Sequence, residues 1–190
     1  MRDFNEVFGT CRALYDDSYN VIRAMAKSMA AIYESHGKPY EPENLITKFE
    51  LIMQYSLFQV AVNDRSFDST ELVFIHGITK KADLVGYLNS VYHYTLTWED
   101  FIEDNAVNLK GRLENLYPQM FEVSREFISV FSFFDHHVED DLLSELEQNV
   151  AAIIFGLSAM DGYVSNAELD KPILILDVIE KIRELLTKGN

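Results

Sequence analysis

One cysteine, one tryptophan and four prolines in 190 residues exclude several routes to a stable fold. Cys11 has no second cysteine to pair with, so no intramolecular disulfide forms. Positive charge is also scarce: 16 lysines and arginines face 31 acids, a net charge of −15. An electropositive track for a phosphate backbone would need nearly all of these cations on one face, so nucleic acid is not an expected partner. No uncharged run reaches the roughly 20 residues that cross a bilayer. The opening MRDFNEV carries acids where a signal peptide has a basic and then an apolar region. No membrane insertion and a cytoplasmic location are the expectations.

Catalytic signatures are missing as well. There is no HExxH, no histidine follows a glutamate by three residues, and no P-loop, dinucleotide fingerprint or GxSxG occurs. Cys11 falls in a helical pattern and reads as a buried inert thiol. No enzyme is expected.

What the chain has is apolar mass. With 48% hydrophobic and 13% aromatic residues it can bury a real core, about two-thirds of its unfolded surface at this length. Three- and four-residue steps dominate the pattern, so the expected fold class is all-α, a compact multi-helix bundle. Residues 4–33 form one long helix or two joined ones, with a stripe through Phe8, Cys11, Tyr15, Tyr19, Ile22, Met25 and Met29. HGKPYEPEN stops it, and a second helix runs from about Pro42 to Val62. Asp68 and Glu71 have capping-box spacing before a third, and Leu84–Tyr94 and the Thr97–Asp100 start suggest short helices. Pro118 divides 105–134 into two expected helices. A helix to Met160 and another from Ser165 to Leu186 complete the pattern. Residues 1–40 read as a helical extension packed on a 41–190 domain with internally related halves.

Those halves share an internal echo. Asp64-Arg65-Ser66-Phe67-Asp68-Ser69-Thr70-Glu71 aligns with Asp161-Gly162-Tyr163-Val164-Ser165-Asn166-Ala167-Glu168 at a constant offset of 97. Each copy links two amphipathic helices, which defines a helix-turn-helix hairpin. The spacing suits a purely structural turn: the first aspartate closes it, the apolar residue staples it, and Asp68 or Ser165 exchanges hydrogen bonds with the acid three residues on. It also suits a divalent cation such as calcium or magnesium, held by Asp64, Asp68 and Glu71, with a lesser site at Asp161, Ser165 and Glu168. An EF-hand does not fit, because the twelfth loop positions are Ile75 and Pro172 rather than glutamate.

The paired turns NDRSFDSTE and AMDGYVSNAE, set in an acidic helical chain, resemble the tellurite-resistance TerB-like family over about residues 50–186. The resemblance runs through Asp64, Phe67, Asp68 and Glu71, and through Asp161, Gly162, Val164, Ser165 and Glu168; Arg65 departs from it, standing where the second copy has Gly162. It implies a compact helical fold and an association with metal or stress-response systems, and no catalytic reaction.

Two further features bear on function. Asp135-His136-His137-Val138-Glu139-Asp140-Asp141 places His136 with Asp140, and His137 with Asp141, one helical turn apart, a secondary metal candidate. Residues 97–147 hold thirteen acids against Lys110, Arg112 and Arg125, a net −10. Such charge is ordinarily solvated helix surface; its sharper reading is a face that docks a basic protein partner. The leading expectation is therefore a noncatalytic acidic interaction module, with cation binding by the paired turns as the alternative.

Overall fold

Fourteen of the twenty residues of the second helix are buried, an inventory no single apolar stripe explains. In the computed structural model, which describes residues 3–63, 67–79, 82–95, 97–102, 106–137, 142–160 and 173–188, that helix is the axis of the molecule. The side chains of residues 92, 102, 106 and 135–137 lie outside the description. The described elements are α1 (Phe4–Ser35), α2 (Pro42–Ala61), α3 (Ser69–Ile78), α4 (Leu84–Tyr92), α5 (Trp98–Ile102), α6 (Ala106–His137), α7 (Leu142–Met160) and α8 (Leu174–Lys188). Helix accounts for 88% of the described residues and none of them is in a strand. No described helix is long and apolar enough to cross a membrane.

Chain chemistry sets the ends of these helices. Asp3 caps α1 by accepting from Asn5, and Gly37, at φ +67°, supplies the left-handed residue after its last turn. Pro42 opens α2 at a position where its missing N–H costs nothing. Asp83 accepts from Gly86 at 2.9 Å to start α4. Thr97 and Asp100 exchange reciprocal bonds of 3.0 Å at the head of α5, and these hold the Asp100 carboxyl below the usual range.

Helix α2 packs against α1, α6, α7, α8, α3 and α4. An aromatic row crosses it: Tyr15 of α1 lies 5.7 Å from Phe49, which lies 5.9 Å from Phe127 of α6, with Phe131 beyond at 5.8 Å. Helix α1 also lies along α7, where a Cβ at Gly156 would overlap the Cys11 sulfur, so the two helices approach as closely as glycine permits. Its Cys11, Tyr15, Ile22, Met25 and Met29 belong to the common core.

Two expected helix boundaries are corrected. Pro118 does not break the chain: α6 is continuous from Ala106 to His137. Its buried residues Leu109, Leu113, Leu116, Met120, Val123, Phe127, Phe131 and Phe134 keep one stripe in phase across the proline. Burial of that long stripe outweighs the one N–H that proline withdraws, and the Tyr55 hydroxyl, donating to the Leu113 carbonyl, supports the backbone just before the site. Conversely, the last helix is not continuous from Ser165. The helix described there begins at Leu174 after a non-helical Ile173, and Pro172, which disfavours a helix interior, precedes that start.

The polar residues inside α2 explain how a helix can be buried all round. Gln54 donates to Thr79 Oγ1 at 3.1 Å and to the Ala82 carbonyl at 3.2 Å, while its Oε1 accepts from Leu84 N–H at 3.0 Å. One fully buried carboxamide thereby ties the end of α3 to the start of α4. Replacing Gln54 by Ala strands these partners in the core. The expected loss is about 2–3 kcal/mol of unfolding free energy, read as a lower denaturant midpoint at unchanged m-value.

Candidate functional site

The end of α2, before the first turn, and the start of α8, after the second, are joined by side-chain bonds. Gln59, five residues before Asp64, accepts from the N–H of Leu174, six residues after Glu168, at 2.8 Å; Ser56 accepts from Ile175 N–H at 3.0 Å. Two side chains of α2 thus cap the start of α8.

At the first turn, Asp68 Oδ1 accepts from Thr70 N–H at 2.7 Å and from Glu71 N–H at 3.0 Å, and Glu71 Oε2 accepts from Asp68 N–H at 2.8 Å. The reciprocal capping box expected from the spacing is formed, and Glu71 is 3% exposed. Phe67 packs 5.9 Å from Phe58, in a cluster with Trp98 and Phe101. Asp68 and Glu71 are brought together as a helix start. Asp64, Asp161, Ser165 and Glu168 lie outside the described residues, as do the side chains of His136 and His137 and all of Asp140 and Asp141. Among the described residues no group of three or more acids, histidines or cysteines is placed to hold a metal ion.

Beside this junction a pocket of about 390 Å³ opens between the end of α2 and the middle of α6. Buried Val62 and Leu113, with Tyr117 and exposed Pro118, make up its apolar lining. Gln59, Asn63, Lys110 and Glu114 bring polar groups to it. Its size falls within the range of small-molecule or side-chain clefts. Behind the wall, the Tyr117 hydroxyl donates to the half-buried Asp177 carboxylate of α8. Burial first, and the nearby Glu180 charge second, raise the Asp177 carboxyl above its ordinary value. Sequence reasoning did not assemble this pocket: its walls come from segments some fifty residues apart, and Pro118 read only as a helix breaker.

The described acids of residues 97–147 are spread over three helices. Glu99, Asp100, Glu114, Glu122 and Glu145 are exposed; Glu126 pairs with Lys48, Glu147 with Arg183, and the exposed Glu122 with Arg125 at 2.9 Å. Arg112 donates to the Asp100 carbonyl. Phe127, Phe131 and Phe134 of α6 are buried, while Phe133 and Tyr94 are exposed. Cys11 is buried, its thiol facing the Ala152 carbonyl at 4.0 Å, and burial pushes its pKa up to about 11. Comparison with protein-family models, curated proteins and solved structures gives no match.

Two outcomes follow from these contacts. Asp68→Ala should lower stability by about 1 kcal/mol, the usual value of an N-cap. Denaturant unfolding of metal-free protein, repeated with calcium or magnesium, separates the roles: a cap alone gives the same loss with and without the ion, whereas a cation site shows wild-type stabilisation that the variant loses. For Asp177, a raised folded-state pKa means that the native state binds its proton more tightly than the unfolded chain. The ionised carboxylate is thus a stability penalty, absent below the ordinary carboxylate value and complete above the folded one. Asp177→Asn keeps an acceptor for Tyr117 and should melt at or above wild type at pH 7, an advantage that vanishes as pH falls below about 4.

Proposed function

We propose that this chain is a noncatalytic helical interaction module, related in kind to the TerB-like proteins its paired turns resemble, whose acidic surface docks a basic protein partner in the cytoplasm. The observation that carries the reading is the uneven use of charge along α5–α7. Glu99, Asp100, Glu114, Glu122 and Glu145 face solvent, while Arg125 is engaged with Glu122, Arg112 with the Asp100 carbonyl, and Lys48 and Arg183 of neighbouring helices with Glu126 and Glu147. The surface that results attracts cations at long range and rejects anions, which favours rapid, salt-sensitive encounter with a basic partner. The noncatalytic part rests on Cys11, whose thiol is protonated at neutral pH and packed against α7, so it serves the helix contact rather than nucleophilic attack.

The first turn supports the same reading as a rigid connector. Asp68 and Glu71 spend their hydrogen bonds on the start of α3. A link to metal or stress response belongs to the family resemblance and is proposed on that footing alone.

The test is association of the full chain with a nonamer of lysine or arginine, measured by calorimetry at 50 and 300 mM salt. Binding should weaken at least tenfold across that range, and a Glu114→Gln/Glu122→Gln variant should bind more weakly at low salt. Failure of both peptides to bind at 50 mM would remove the acidic-docking reading.

A further inference from the structure

We infer that the α2–α6 pocket is the anchor of this docking surface and takes one arginine side chain of the basic partner. The inference rests on the acidic-docking reading and adds to it a specific seat. Exposed Pro118 offers an apolar wall, over a floor of buried Val62 and Leu113, along which the three methylenes of an arginine can lie. Tyr117 also lines the pocket; its ring stacks on Phe121 at 6.3 Å and its hydroxyl is tied to Asp177, which fixes the ring. A phenol that donates to a carboxylate carries more negative charge on its ring face, which strengthens attraction for a stacked guanidinium. Glu114, exposed on the rim one turn before Pro118, is placed to meet the guanidinium edge.

The charge balance decides between an arginine and an anion. Lys110 and Glu114, one helical turn apart, bring one charge of each sign to the pocket, and Asp177 behind Tyr117 adds the excess negative charge. The chain as a whole carries −15. Arginine rather than lysine fits the ring wall, because a planar, weakly hydrated guanidinium stacks on an aromatic face and leaves water at lower cost than an ammonium. Arginine is also among the residues that most often anchor protein interfaces in desolvated pockets.

The experiment compares the arginine and lysine nonamers on the full chain, together with capped arginine amide and capped lysine amide followed by amide chemical shifts. The arginine nonamer should bind about fivefold more tightly than the lysine nonamer. Capped arginine amide should shift residues 59–63 and 113–118, and capped lysine amide should shift them less. Tyr117→Leu and Glu114→Gln should each remove most of the arginine preference while leaving salt-sensitive binding of both peptides in place. Since Tyr117→Leu also strips the bond to Asp177, Tyr117→Phe serves as the second variant: it keeps the ring and should keep the larger share of the preference. Salt-sensitive binding without an arginine preference, or a preference that survives Tyr117→Leu, overturns the pocket assignment and leaves acidic docking standing. Shifts of the pocket residues by acetate or by a neutral aromatic amide, with none from capped arginine amide, also overturn it and assign the cleft to another ligand. Absence of salt-sensitive binding by either nonamer removes the docking reading and the anchor with it.

Discussion

A helix buried on every side can keep polar side chains only if each finds a partner, and α2 finds them in the open ends of its neighbours. Gln54 joins the end of α3 to the start of α4, and Gln59 and Ser56 take the first N–H groups of α8. Backbone groups that would otherwise face a dry interior are satisfied from one central element. The apolar side of the same helix carries Phe49 into the aromatic row that binds α1 and α6. Packing and polar satisfaction therefore share a scaffold, and the positions of the chain ends around it are consequences of α2.

The pocket owes its form to the same arrangement. Val62 at the end of α2 meets Leu113 and Pro118 of α6, and α8 is drawn in by Gln59 so that Asp177 reaches Tyr117. A proline inside a helix is usually a weakness. Here it forms part of a wall, and the stripe that continues through it holds the helix together on both sides. Charge then gives the wall its chemistry: the acids set the sign, and the aromatic ring sets the shape of what can lie there.

How far the sequence could be read follows from which signals are local. Period and caps reveal the helices, and the Asp68–Glu71 box was legible because all its atoms lie within four residues. The continuity of α6 was not, since the local cost of Pro118 is visible in the chain while the stripe that outweighs it is a sum over thirty residues. The start of α8 at Leu174 was hidden for a related reason: its capping groups sit more than a hundred residues away on α2. The pocket was least legible, because nothing in the order of residues says that Val62 and Tyr117 share a wall. The acidic segment was legible as composition, but not its division into carboxylates that pair and carboxylates that face water.

Gln54, Ser56 and Gln59 of α2 also restrict how the molecule can respond to a partner. Gln54 and Gln59 stand five positions apart and reach elements on different sides. A slide of α2 by one residue would turn each side chain by about 100° and break both sets of bonds together. The axis is therefore held in rotation as well as in place, like a key with cuts on more than one edge. Whatever settles beside Val62 meets a wall that does not swivel, and its arrival can be felt elsewhere only through α6 and α8.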